Sequence, residues 1–489
     1  MAMKTKLSLA IFFFLLALFS NLALGAEETQ VEDYELEACK QLCLHNPKYS
    51  ESDKQMCVQS CDKYYGTKQE EETRGKKESP TRKEEGQEEE NPFVFEHEDF
   101  DTEVETEGGR IRVLHKFTKK SKLLRGIENF RLSILEAKAH TFVSPRHYDS
   151  DVVLFVLKGQ AVLGLVKESE TEKLMVEAGD MMTITAGTPL YMANRDENEN
   201  EKLLIAMFHI PLFSLGKYVE IFGLGGRDPE SVLSAFSWNV LQAALQSPRG
   251  KLERLFNKQN GGSIFKISRD HLQALVPKKS SWWPFGGISK APFNLFTKRP
   301  SFSNECGRQT QVAPSDEKSG LDRLNLMLSY TNITQKCMST IHYNSRVTKI
   351  AMVMDGRGYL QIACPHVSER SEEKHEKSSP SYSRISAELK PGMMFVVPPG
   401  HPFLAIAARK ENLQIISFEV NARDNNKYTY AVCACVITGK DNIVTSLDNI
   451  AKELAFNYPA EIVNGIFDGK EGFFLPFELP REDHGRAYA

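Results

Sequence analysis

One pattern is written twice along this chain, and the duplication limits its architecture more than any other feature. His147-Tyr148-Asp149-Ser150 is followed by Gly159 and then by Gly179, Gly187 and Pro189. His342-Tyr343-Asn344-Ser345 is followed in the same order by Gly356, Gly392, Gly400 and Pro402. The glycine pairs 179/187 and 392/400 have the same spacing, and most of the extra length of the second copy falls between Gly356 and Gly392. That interval holds residues 368–384, a run of Ser, Glu, Lys and Arg, which reads as a surface loop where length is tolerated at small entropic cost. Residues 152–157, 161–166, 181–184 and 203–209 are short aliphatic and β-branched runs separated by turn signals, the spacing of a sandwich or barrel.

Each copy closes on helical spacing. Val232, Phe236, Val240 and Ala244 are followed by 251–256; Ile443, Leu447, Ile450 and Leu454 are followed by Ile462, Val463 and Ile466. Such stripes need cover, either from their own barrel or from the next subunit of a ring. A length of 489 residues exceeds what a single core serves, so two or more domains are expected. With 61 basic and 65 acidic residues there is no positive field, which argues against nucleic acid or an anionic membrane as partner.

Residues 1–25 read as a signal peptide. Lys4 and Lys6 precede the apolar run 7–22, and cleavage is expected after Gly25. No later segment reaches the ~18 apolar residues of a spanning helix, so no membrane partner is expected once the signal is removed. Residues 26–66 carry Cys39, Cys43, Cys57 and Cys61. Positions four apart share a helix face, so two short antiparallel helices would bring two cysteines each to one seam. Nested disulfides Cys39–Cys61 and Cys43–Cys57 satisfy that geometry; a four-cysteine zinc site is the rival, and an oxidising compartment favours the bridges. Residues 67–91, rich in Glu, Lys, Gln, Arg and Gly without aliphatic side chains, cannot bury a core and are expected to form a disordered linker.

The strings Pro145-Arg-His-Tyr-Asp149, Thr340-Ile-His-Tyr-Asn-Ser345, Gly392-Met-Met-Phe-Val-Val-Pro-Pro-Gly-His-Pro402, Pro292-Phe-Asn-Leu-Phe-Thr-Lys-Arg-Pro300 and Gly439-Lys-Asp-Asn-Ile-Val444 carry a family resemblance. In this order and duplication they resemble the bicupin seed storage globulins, specifically the vicilins or 7S globulins. The cysteine hairpin resembles α-hairpinins and vicilin pro-regions. The resemblance implies a mainly β fold of two tandem cupin barrels of jelly-roll type, each with a C-terminal helical extension. It places them at 92–260 and 292–480, joined by a linker 261–291 and followed by a disordered tail 481–489. It further implies a homotrimer in the protein storage vacuole or outside the cell, serving as a nutrient reservoir.

Cupin enzymes such as germins hold a transition metal through two histidines spaced H-x-H, a later Glu and a third His. This chain departs from that set. His147 is followed by Asp149 and His342 by Asn344; apolar residues or Lys349 stand where the Glu belongs; Leu190 and Phe403 take the third-ligand positions. No catalytic residue is expected. Some vicilins resemble copper binders through histidines matching His342 and His401 and a cysteine two residues before the first, where this chain has Thr340. The nearest thiol, Cys337, lies an odd number of residues away, on the opposite face of a regular strand. No cofactor is expected beyond adventitious copper at His342 and His401. The ligand retained as an expectation is a small anion in a barrel mouth, held by His342, Asn344, His401 or His147.

Asn332-Ile-Thr334 is a glycosylation sequon inside a strand-like run. Trp282 and Trp283 read as an anchor for the linker rather than a sugar platform, and Cys433 and Cys435 are assigned no chemistry. The pairing of Cys306, Cys337 and Cys364 is open from sequence. The expected function is seed storage. A secreted germin-type oxidase and an antimicrobial or protease-inhibitory role of the hairpin are the alternatives.

Overall fold

The computed structural model describes residues 91–477 except 169, 197, 199–200, 213–220, 278–291, 318, 366–381, 431–441 and 468–471, together with Lys40, Lys54, Gln55, Val58 and Gln59. The signal segment, the four N-terminal cysteines, linker positions 67–90, Trp282, Trp283, Cys433, Cys435 and the tail 481–489 lie outside the described residues. The chain divides into Met1–Glu89 and Glu90–Ala489. Both copies of the repeat fall in the second unit, and each folds as a pair of antiparallel sheets.

In the first copy, one sheet runs Ile221–Gly223, Thr141–Tyr148, Leu190–Asn194, Gln160–Lys167, Glu170–Glu177. The other centres on Ser150–Lys158 and Leu203–Pro211, flanked by Asp180–Ile184 and Arg131–Ala137. The second copy repeats this with Thr348–Asp355 and Leu413–Val420 at the centre of one sheet and Gly358–Cys364 and Phe403–Ala407 in the other.

The central strands are apolar at nearly every position because both their faces are covered. Val152, Leu154 and Val156 point into the first barrel's own core. Val153 and Phe155 point away from it, into a second core that fills the other barrel and continues across the interface. There the ring of Phe208 stacks on Phe418, with centroids 5.0 Å apart, and Phe296 lies against Tyr330 at 4.7 Å. Asp151 receives both terminal nitrogens of Arg323 across the same boundary, at 2.6 and 3.1 Å.

Three sequence boundaries need correction. Val94 and Phe95, assigned to the first barrel, pair with Phe395 and Met394 of the second. Phe293 and Asn294, assigned to the second, pair with Met181 and Asp180 of the first. Ile264–Lys266, assigned to a linker beginning at 261, is a strand of the first barrel beside Thr141–Val143, and the following helix Arg269–Leu275 buries Leu272 against Val162 and Ala193. Edge strands expose unpaired backbone, and the reciprocal exchange of Val94–Phe95 and Phe293–Asn294 covers one edge of each barrel.

The 368–384 insertion falls between the paired strands Gly358–Cys364 and Ser383–Leu389, a connection whose counterpart in the first copy, between Gln160–Lys167 and Glu170–Glu177, is two residues long. A disulfide joins Cys306 to Cys337, with Cα atoms 5.4 Å apart, and leaves Cys364 as a buried thiol.

Both helical extensions are short helices in series. The stripe expected from Val232 through Ala244 is interrupted: Val232–Ala235 is a 3-10 turn, Phe236 is extended, and Ser237 caps a new helix, Trp238–Leu245. Asp448 caps Asn449–Phe456 in the same way. In a left-handed conformation, Gln246 ends the first of these helices and Asn457 the second. Leu241 and Leu252 are buried, whereas Phe236 and Val240 are half exposed and Ile450 and Leu454 are 68% and 80% exposed. Among the described residues, Phe236, Val240, Ile450 and Leu454 thus stay uncovered, whereas Val463 of the same stripes is buried.

Candidate functional site

The strand that opens each repeat carries the residues singled out from sequence, and its backbone partners fix how the two copies correspond. Arg146 pairs with Leu190, and His342 pairs with Phe403. Gly187 donates its N–H to Tyr148, and Gly400 donates to Asn344. Leu224 donates to Pro145, and Tyr430 to Ile341. The structural equivalents are therefore Arg146 with His342, His147 with Tyr343, and Tyr148 with Asn344. The matching letters His-Tyr are offset by one residue, and because side chains alternate across a strand, the offset reverses their faces.

His147 is consequently not an interior residue, which corrects its assignment to a barrel pocket. It is half-buried on the outer face, stacked on Phe222 with centroids 4.9 Å apart. Arg146 faces inward instead and is 3% exposed. Its Nε donates to the Ser144 carbonyl at 3.1 Å and Nη2 to the Ser263 carbonyl at 3.2 Å. Burial pushes the guanidinium below its ordinary value, and the Tyr148 hydroxyl opposes that shift. The same burial raises the Tyr148 phenol. No carboxylate is among Arg146's partners in the described residues.

In the second barrel His342 and Asn344 do point inward, both 3% exposed. His342 Nδ1 lies 2.8 Å from the Thr340 carbonyl, the geometry of an N–H donated to it. Its ring is enclosed by Phe403 at 4.3 Å and Phe473 at 4.9 Å. Burial first, then the ammonium of Lys427, holds the imidazole well below its ordinary value, so it is neutral. Asn344 Oδ1 accepts from Asn425 at 3.2 Å. His401 stands at the turn leading into Phe403–Ala407, its Nδ1 3.0 Å from the Pro399 carbonyl and its ring 6.2 Å from Phe93. A copper-type set is incomplete: Thr340 carries no thiol, its Oγ1 is buried without a hydrogen bond, and the sulfur of Cys337 is bonded to Cys306. Among the described residues no three His, Cys, Asp or Glu side chains converge as metal ligands.

Deeper in each barrel lies a polar group that sequence reading missed or only half saw. Lys349 faces Glu419 across paired strands, and Val152 faces His209 at the corresponding place. Lys349 Nζ bonds Glu419 Oε1, and Ser329 Oγ donates to the same oxygen at 2.5 Å. Burial pushes the Glu419 carboxyl up, but Lys349 and Lys427 together outweigh it and hold it below the ordinary value. Lys427 reaches Gln309 Oε1 at 2.9 Å, over the faces of Phe302 and Phe473, and burial lowers it to about 8. His209 sits between Ser133 Oγ at 2.7 Å and Ser150 Oγ at 3.1 Å, and burial lowers it to about 3. The histidine ended an apolar run and gave no signal of its own; Lys349 was visible only as a misplaced charge.

The sequon residue Asn332 lies in Leu326–Ile333, between paired strands on both sides, with Oδ1 enclosed and unbonded.

A cupin family model matches residues 293–450. The sucrose-binding protein of Glycine max is 64% identical over 99% of both chains. A vicilin of Juglans regia, Jug r 6.0101, is 45% identical over the full length of both. The chain belongs to the vicilins. The vicilin of Solanum melongena, whose crystal structure revealed different anionic ligands in structurally similar pockets, superposes with a TM-score of 0.72 at 29% identity, covering 81% of this chain and 100% of that one. This vicilin thus has the mainly β bicupin fold and the non-catalytic storage role of its family.

Proposed function

We infer that the reserve role of this vicilin rests on closed barrels whose described interior side chains form no convergent ligand set. This is a seed storage globulin and not an enzyme. The observation that carries the reading is the replacement of a convergent ligand set by Arg146 and Tyr148 in one barrel and by His342, enclosed by Phe403 and Phe473, in the other. Closed barrels hide backbone from proteases, so the charged stretches 67–91 and 368–384 are the proposed entry points for digestion. Limited trypsin treatment is expected to cut first in those two stretches; first cuts within Ser150–Lys158 or Gln160–Lys167 would reject the account.

The protein is a secretory-pathway storage protein, and the storage vacuole is its proposed compartment. A trimer is the proposed assembly, supported by the exposed faces carrying Phe236 and Val240 at one end of the chain's helices and Leu447, Ile450 and Leu454 at the other. Light scattering on the intact protein should give three times the chain mass, and a one-chain mass would remove the ring.

Two ligand classes belong to this reading. A small carboxylate or similar anion is proposed for the barrel interiors, because the buried charge of Arg146 has no acidic partner among the described residues. A neutral disaccharide is proposed because a relative so similar over its whole length bears the name sucrose-binding protein.

A further inference from the structure

At one end of the second barrel, outside both interiors, Asn325, Arg346, Asn421, Arg423 and Asp424 line an open cavity of about 510 Å³. Ligand-sized clefts run from roughly 300 to 1,000 Å³. Its backbone is unusual: Asn325, Asn421 and Asp424 are all left-handed, with φ of 52°, 63° and 54°. Asn and Asp tolerate this region better than other non-glycine residues, and such backbone strain gathers at functional sites.

The cavity is charged but balanced. Arg346 Nη1 lies 3.4 Å from Asp424 Oδ2, and Arg423 Nη2 lies 3.0 Å from Asp322 Oδ1. Asn325 Oδ1 accepts from the Arg423 backbone at 2.8 Å, which fixes the loop that carries the guanidinium. Those contacts leave a mixed set of groups without hydrogen bonds among the described residues. Donors are Arg346 Nε and Nη2, Arg423 Nη1 and Asn325 Nδ2; Asp424 Oδ1 accepts; the Asn421 amide offers both. An anion would meet Asp424. A hydrophobic ligand would strand every one of these groups. A sugar hydroxyl donates one hydrogen bond and accepts others, so adjacent hydroxyls match donors and acceptors set side by side without requiring net charge.

We propose that this cavity is the binding site for a neutral disaccharide, with Arg346 and Asn421 as its principal hydrogen-bonding side chains. The proposal rests on the disaccharide reading above and gives it a place in the fold. The full-length protein is titrated with sucrose by ligand-observed NMR, in parallel with Arg346→Gln and Asn421→Gly. Glycine keeps the left-handed backbone unstrained while removing the amide. The lining side chains are largely exposed, so both variants should melt with the parent protein. Each variant is expected to bind sucrose about tenfold more weakly, the loss of one or two hydrogen bonds. Sucrose binding that both variants retain unchanged would overturn this location while leaving the disaccharide reading intact. Absence of sucrose binding by the parent protein would overturn both. Inorganic phosphate displacing sucrose at a far lower concentration than that of the sugar, with the effect lost in Arg346→Gln, would make the anion the preferred ligand and overturn the neutral assignment.

Discussion

Val152 faces His209 in the first barrel where Lys349 faces Glu419 in the second, and a serine, Ser133 or Ser329, bonds the polar member in each. One backbone position has thus received a neutral, hydrogen-bonded solution and an ion-paired one. Both satisfy the requirement that a buried polar group have partners, but they respond differently to loss of a partner and to protons. The neutral arrangement withstands truncation better; the charged one withstands mild acid better.

The largest expected effect comes from breaking the ion pair from one side. Glu419→Ala would leave Lys349 and Lys427 buried without a counter-charge, and about 3–5 kcal/mol of stability should be lost in urea unfolding. Replacing both members, Lys349→Met with Glu419→Leu, leaves only Lys427 without its counter-charge and should cost less than the single change. A single variant as stable as the double would show that the pair is solvated, and the contrast between the barrels would collapse.

Acid separates the two polar groups next. His209 is held at about 3 in the fold against an ordinary 6.5, so the unfolded chain takes up the proton first. Its contribution is therefore fully present above about 6.5 and declines as the pH falls toward 3. At pH 5 the loss is about 2 kcal/mol. Glu419, depressed below 4.5, contributes stability that is lost only at lower pH, and Lys427 titrates near 8, so neither acts between pH 5 and 6.5, whereas His342, held well below its ordinary value, loses stability there in the same sense as His209. His209→Gln should make the stability profile shallower over that window and leave the His342 part in place, as read by unfolding midpoints at successive pH values; an unchanged slope would assign the acid sensitivity elsewhere.

The duplicated architecture was legible because turns and strand lengths recur whatever fills the interior. Gly187 and Gly400, both with positive φ, mark the same turn. Barrel boundaries were not legible, because a two-residue strand such as Val94–Phe95 has no periodicity to show which sheet it joins. The site was half legible. His342, Asn344 and His401 are buried in the second barrel, but His147 was aligned by letters, and strand faces are decided by register. A one-residue offset leaves the motif intact on paper and turns it inside out in space. The apolar run at 203–209 likewise hid His209, whose partners Ser133 and Ser150 are distant in sequence.

The smallest expected effect is also the sharpest test of that offset. His147 touches Phe222 from the outer face, so His147→Ala should change stability by no more than about 0.5 kcal/mol and leave any anion response untouched. Arg146 stands where His342 stands in the other barrel, and its charge is the interior feature that an anion would neutralise. Acetate should therefore raise the melting temperature of the parent protein and of His147→Ala equally, and fail to do so for Arg146→Met. If His147→Ala abolished the acetate response while Arg146→Met kept it, the letters would have been the better guide than the ladder, and the correspondence between the barrels would have to be redrawn one residue back.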